Sequence, residues 1–470
     1  MKKKICLWGK GYGVERIIEL CINAGVAISA ILDNDPSKWG HKVLGVIVVP
    51  PDQLMELKPN YILVLSQAID AITKQATGMG FPEESILHFN RNPWEALKRI
   101  GAEYAIYHYK YEWDGERLQK FFYEHAVIGK HIKRVSPKIS KEQQIEIVSK
   151  LIKAFNIVRN DAKTVPEIYR VGENWGNVLK GTWGNFYELS EKNDIVNISE
   201  MLSNFCRNPL SHSIMGGEGV FNKFINHPGQ ESWLQHNLEV WMALVDGKAS
   251  LDEVGMPPIG NPYGYNVDGQ IINWNSFVNH GRAFRTLRLL SEEDHPVVAE
   301  IGGGFGGYAY NLLRNKRKLT YIDFDLPENL LIASYYLSMA YPEKNILIYD
   351  SESMIMDIAH LKKYDAVMMP NFMLPKLQDA SVDLFINTIS FSEMEYKTIC
   401  EYFNQIDRIG SKYFYHENLA CHPEYKGYPS AIFPQLNNFT QIFSSISPWQ
   451  GFDAYALGHT YIERLFLHSR

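Results

Sequence analysis

The run Val297-Val298-Ala299-Glu300-Ile301-Gly302-Gly303-Gly304-Phe305-Gly306-Gly307 most constrains what this chain can become. A short unbroken apolar segment reads as a buried strand, here carrying an acid near its end. The loop that follows contains Gly302, Gly304 and Gly306. Glycine has no Cβ, so a ligand can lie directly against such a backbone. The next apolar strand, Leu319-Thr320-Tyr321-Ile322-Asp323-Phe324-Asp325, delivers carboxylates 21 and 23 residues after Gly302. At that distance the second strand of a doubly wound sheet brings an acid to ribose hydroxyls. Asp350 closes a third expected strand, and Asn387 ends the strand 383–388. In open α/β sheets ligands lie beyond the carboxyl ends of the strands, so Glu300, Asp323, Asp325, Asp350 and Asn387 join the glycines as candidate cofactor contacts.

At 470 residues the chain exceeds one ordinary core and predicts two or three domains. Net charge is −6, which gives no general pull toward nucleic acid or an anionic membrane. The five cysteines, Cys6, Cys21, Cys206, Cys400 and Cys421, are scattered and form no Cys-x-x-Cys pair. That pattern argues against a disulfide framework and fits a reducing compartment, with a cytoplasmic location expected. The opening Met1-Lys2-Lys3-Lys4 is not followed by an apolar run long enough for a signal peptide, and no stretch predicts a membrane span.

Two strand–helix alternations flank a helical middle. Residues 1–92 read as a small parallel-sheet unit with strands at Ile5–Trp8, Ala27–Leu32, Val46–Val49 and Tyr61–Leu65. Residues 93–200 are helical and aromatic, with Ile145, Ile147, Val148, Leu151, Ile152 and Phe155 at helical spacing. Residues 201–290 form a helical cap or substrate region ending in a helix over 276–290, and 291–470 form a second α/β unit. The expected strands there are 297–301, 319–323, 345–349, 383–388 and 412–415. The predicted fold class is α/β, with two Rossmann-like parallel-sheet domains separated by a helical region.

The spacing Glu-x-Gly-x-Gly-x-Gly resembles that of S-adenosylmethionine-dependent methyltransferases and differs from the dinucleotide fingerprint Gly-x-Gly-x-x-Gly. Five stretches together resemble the sugar O-methyltransferase family: Ile259-Gly260-Asn261-Pro262, Asn279-His280-Gly281-Arg282-Ala283-Phe284, Glu300–Gly307, Asp325-Leu326-Pro327 and Ser390-Phe391-Ser392-Glu393-Met394. The resemblance covers about the C-terminal 210 residues. It implies S-adenosylmethionine as cofactor, a sugar or glycan acceptor in a surface polysaccharide or its precursor, and Asp325 rather than Asp323 on the ribose.

Methyl transfer to a hydroxyl needs a group that takes its proton. Glu393 follows one expected strand, and His416, Glu417 and Asn418 follow another. Histidine titrates near neutrality and suits the role, although His416 fits a structural histidine as well. Glu393 could serve as base, metal ligand or helix-capping acid, and grouped acidic oxygens would suit Mg²⁺. For the acceptor, Tyr263 and Tyr265 could stack on a sugar face, and His280, Arg282 and Asn418 could contact it.

The N-terminal loop Gly9-x-Gly11-x-Gly13, with Asp33 24 residues beyond Gly9, resembles a nucleotide-binding fold. Its third glycine falls one residue early, since Val14 holds the fingerprint position. The alternatives are therefore a nicotinamide-dependent sugar oxidoreductase or epimerase using this loop, or a non-catalytic ligand-binding assembly protein. No Tyr-x-x-x-Lys pair follows to support the first. Homo-oligomerisation is compatible with either.

Overall fold

Short continuous apolar runs form the strands, as expected of parallel sheets covered on both faces. The computed structural model describes residues 3–9, 14, 17–18, 21, 26–66, 68–89, 96, 99–101, 139–212, 214–215, 230–267, 270–315, 317–351, 353–421, 430, 433–449 and 460–469. The chain forms two compact units. One comprises Met1–His108, Glu417–Phe433 and Gln441–Leu465, the other Tyr109–His416, Pro434–Thr440 and Phe466–Arg470.

In the first unit, β1 (Lys4–Trp8), β2 (Ala27–Leu32), β3 (Lys42–Val43), β4 (Val46–Val49), β5 (Tyr61–Val64) and β6 (Ile86–His88) make one sheet, ordered β3-β4-β2-β1-β5-β6. All pairings are parallel except the β3–β4 hairpin. Successive residues of β1 feed opposite cores. Ile5 and Leu7 pack with Ile31 and Leu63, whereas Cys6 and Trp8 pack with Leu32 and Val64.

In the second unit, α1 (Lys141–Asp161) begins on a capping box in which Ser140 and Gln143 satisfy each other's backbone N–H groups. Its apolar stripe buries Val148, Leu151, Ile152, Phe155 and Val158. A small hairpin, β7 (Tyr265–Val267) and β8 (Gln270–Ile272), precedes α2 (Trp274–Leu289), which an Asn273–Ser276 capping box starts. The chain then alternates through β9 (Val297–Ile301), α3 (Gly307–Arg314), β10 (Thr320–Asp325), α4 (Pro327–Ala340), β11 (Ile346–Ile348), β12 (Ala366–Pro370), β13 (Leu384–Thr388) and α5 (Tyr396–Ile409), and then through β14 (Tyr413–Cys421), β15 (Phe439–Ile446) and β16 (Thr460–His468), most of whose residues fall in the first unit's range. Helix α4 starts on Pro327, is buried on nearly every side and packs against α1.

The sheet order is β11-β12-β10-β9-β13-β14-β16-β15. Strands β11, β12, β10, β9 and β13 run parallel. The last strand turns antiparallel to β14, where the His468 N–H donates to the Lys412 carbonyl at 3.0 Å. Consecutive strands lie on opposite sides of β9, which makes its carboxyl end a topological switch point. Both sheets place the chain in the expected α/β class. Strands β3, β6, β7, β8, β12, β15 and β16 are not among those the sequence predicts. Among the described residues no helix is long and apolar enough to cross a membrane.

Candidate functional site

Strand β9 ends at Ile301, and five residues turn the chain into α3. Gly302, Gly304 and Gly306 have φ of 80°, 62° and 84°, a region that disfavours any residue with a Cβ. Packing adds a second demand. A Cβ on Gly302 would lie 2.3 Å from the Ser390 Oγ, and one on Gly303 would lie 2.7 Å from both the Asp323 Oδ1 and the Tyr321 hydroxyl. A Cβ on Gly304 would meet only the Ile214 side chain, at 3.7 Å. Gly304 is thus where the loop backbone is least covered by its own protein.

Parallel pairing sets Asp323 beside Glu300, and Asp325 follows two residues on, so the three carboxylates share one face of the sheet. Glu300 accepts a hydrogen bond from the Tyr321 hydroxyl at 2.6 Å. Asp323 accepts the Gly303 N–H on Oδ1 at 3.2 Å, while its Oδ2 is buried without a hydrogen-bond partner. Asp325 accepts the Gly304 N–H on Oδ2 at 2.9 Å, and Leu326 N–H and Asn329 Nδ2 on Oδ1 at 2.7 and 3.0 Å. Asp323 is fully buried beneath the loop, and Asp325, at 6% exposure, forms its rim.

Burial disfavours the charged forms and raises all three carboxyls. Glu300 is pushed up to about 7, against the Tyr321 hydrogen bond and the pull of Arg282. Asp325 is pushed up to about 6, with the Gly304, Asn329 and Leu326 hydrogen bonds opposing burial. Asp323 is raised well above its ordinary range, by burial first and then by Asp325 and Glu300. Arg282, expected to contact the acceptor, is itself 7% exposed.

Asn387, at the end of β13, donates to the Ile301 carbonyl at 2.8 Å and to the Ser390 Oγ at 2.7 Å, tying the ends of β13 and β9 together. Ile389 has φ 73°, an outlier for a β-branched residue and the kind of strain that clusters at sites. Beyond it, the Glu393 Oε2 accepts the Trp175 indole N–H at 2.8 Å. A strap around Glu167–Trp175 is fixed here by several bonds. The Tyr169 hydroxyl donates to Glu401 at 2.6 Å, Asn371 Nδ2 donates to the Tyr169 carbonyl at 2.9 Å, and Lys397 pairs with Glu167 at 2.9 Å.

Asp350 needs correction: β12 intervenes between β11 and β10, so Asp350 is exposed and two strands removed from the acid shelf. His416 is buried against the rings of Phe403, Phe414 and Phe466. Tyr263 is fully buried with its hydroxyl on the Met215 carbonyl, so it presents no open face for stacking, and Tyr265 is 5% exposed. His280 accepts the Trp241 indole N–H on Nδ1 at 2.9 Å, and burial lowers it to about 4, a neutral packed histidine. In the first unit's residue range, Glu417 and Asn418 are fully buried, and Glu417 accepts the Ser447 hydroxyl at 2.5 Å. Gly11 and Gly13 lie outside the described residues. Gly9 has φ 105°, and Asp33 pairs with Lys38 at 3.2 Å.

Sequence reasoning passed over Tyr321, Asn329 and Trp175. Tyr321 could have been found, because it shares a strand face with Asp323 two residues on. Trp175 carried no such signal, since its partner lies 218 residues away. Among the described residues no group of three His, Cys, Asp or Glu side chains is arranged to hold a metal ion.

Residues 1–87 match the family described as C2185-like, N-terminal. No curated protein matches the chain. Among solved structures, the chain is similar to the small RNA methyltransferase HEN1, at 17% identity and TM-score 0.29, over 40% of this chain and 25% of that one. It is also similar to magnesium protoporphyrin IX methyltransferase from Synechocystis PCC 6803, at 11% identity and TM-score 0.27, over 42% and 85% of the two chains. A third is the N-methyltransferase NodS from Bradyrhizobium japonicum WM9, at 13% identity and TM-score 0.28, over 42% and 88%. Likeness this slight says nothing of what the present chain binds or does.

Proposed function

We propose that the second unit is an S-adenosylmethionine-dependent methyltransferase acting on a hydroxyl of a sugar, in a surface polysaccharide or its precursor. One observation carries the cofactor reading: the acid ending β10 reaches across to the bare backbone that follows β9, as the Asp325–Gly304 hydrogen bond at 2.9 Å. Asp325 would hold the ribose, the Gly302–Gly306 backbone would cradle the ligand, and the buried Asp323 would hold the loop from beneath. When bound, the cofactor supplies a methyl group activated by positive sulfur.

The chain's own residues would orient the acceptor and take its proton. Glu393 stands just beyond β13 with one oxygen fixed by Trp175, and it is the better candidate than the ring-enclosed His416. The stretches shared with sugar O-methyltransferases, including Ser390–Met394, support the sugar acceptor.

The test is calorimetric titration with S-adenosylhomocysteine and, separately, NAD⁺. S-adenosylhomocysteine binding lost in both Asp325→Asn and Gly304→Val supports the reading. NAD⁺ binding alone, untouched by those changes, sinks it and moves the chemistry to Gly9 and Asp33. For the acceptor, labelled methyl transfer to sugars should fail in Glu393→Gln while cofactor-product binding persists.

A further inference from the structure

Three asparagines meet at one cavity behind the glycine loop. The space is bounded by Asn275 and Asn279 of α2, Phe305 of the loop, Gly307 and Asn311 of α3, and Tyr336 of α4. It is so narrow that its free room is that of about one water molecule. Two of the amides carry a buried atom without a hydrogen-bond partner: Asn275 Nδ2, a donor, and Asn311 Oδ1, an acceptor. Flipping Asn311 offers no escape, because its Nδ2 already donates to the Gly307 carbonyl at 2.8 Å. A flip would set oxygen against oxygen. The Asn279 amide adds a third polar group, its Nδ2 standing 2.3 Å from where a Gly307 Cβ would be. No charged side chain lines the cavity, so nothing there would hold an ion.

We infer that this cavity binds one ordered water that bridges α2 to α3 and so holds the first turn of α3 and the Gly302–Gly307 loop in place. The water accepts from Asn275, donates to Asn311 and keeps one hydrogen for a further acceptor, a complement no single side chain there provides. Asn275 and Asn311 are positioning residues for the loop, acting through that water.

The full-length chain tests this in three ways. A crystal structure should show a water within hydrogen-bonding distance of both amides. Asn275→Leu and Asn311→Leu should each destabilise, and the double variant should lose no more than the worse single one, because both remove the same bridge. Amide hydrogen exchange at Gly303, Gly304 and Gly306 should rise about tenfold in Asn275→Leu, while Ile5–Trp8 stays unchanged. A dry cavity, additive losses, or loop exchange that does not move each overturns the inference. If leucine prevents folding, Asn275→Ala serves in the same cycle. None of these readouts needs a cofactor, so failure of the methyltransferase reading would leave the test intact.

Discussion

Both sheets contain the same device. In the first unit the Gly9 N–H donates to the Leu32 carbonyl at 2.8 Å, and in the second the Gly302 N–H donates to the Phe324 carbonyl at 2.9 Å. In each case the next residue of the partner strand is an aspartate, Asp33 or Asp325. Among the described residues the contacts of the two acids differ. The Asp33 side chain accepts the Asp35 N–H at 2.9 Å and pairs with Lys38 at 3.2 Å. The Asp325 side chain reaches the Gly304 N–H of the neighbouring loop and is steadied by Asn329. In the second sheet, then, the acid ending one strand holds the backbone of the loop that follows its neighbour.

Substitution of the leading glycines probes the comparison most severely. Gly302→Ala meets both a positive φ and Ser390 at 2.3 Å, and should cost about 4 kcal/mol in urea unfolding. Gly9→Ala meets φ 105° but only a 3.3 Å contact with Ser66, and should cost about half as much. Equal losses would erase the distinction between the loops.

Acidity should separate them next. Glu300 is raised from about 4.5 unfolded to about 7 folded, so the folded state holds the extra proton between those values. Stability from this group is full below the lower value and is lost as pH rises through the upper one. Glu300→Gln should therefore flatten the fall in stability between about pH 4.5 and pH 7, by about 3 kcal/mol at most. An unchanged pH profile would mean that Glu300 is not the group titrating.

Asp325→Asn should weaken S-adenosylhomocysteine binding about a hundredfold, equal to about 2.7 kcal/mol. Asp33→Asn should leave that affinity within about twofold and cost no more than about 1 kcal/mol of stability, because its partner Lys38 is partly solvated. A binding loss in Asp33→Asn, measured side by side with Asp325→Asn, would instead assign the cofactor to the first loop.

The strands of the site were legible because Val297–Ile301 and Thr320–Asp325 are unbroken apolar runs whose acids fall at their ends. Strand β12 was not, since Ala-Val-Met-Met-Pro is short, ends in proline and passes equally for a buried helix turn. That omission put Asp350 beside Asp325, because sequence alone cannot count a strand that intervenes in space. Arg282, expected to contact the acceptor, is buried near Glu300 by tertiary packing. The rings around His416 come from Phe403, Phe414 and Phe466, on three separate elements, and no local pattern foretells such an enclosure.

The intervening strand also bears on how the chain is made. Strand β11 leaves the ribosome before β12, yet β12 is its neighbour in the sheet and separates it from β10. During synthesis β10 therefore waits with one side unpaired, and β11 with no partner strand, until Ala366–Pro370 arrives. The exposed side of β10 belongs to the nascent chain alone, whereas β11 keeps a free edge in the finished sheet; this stretch of translation is the interval when a passing strand or chaperone could find β10 unpaired.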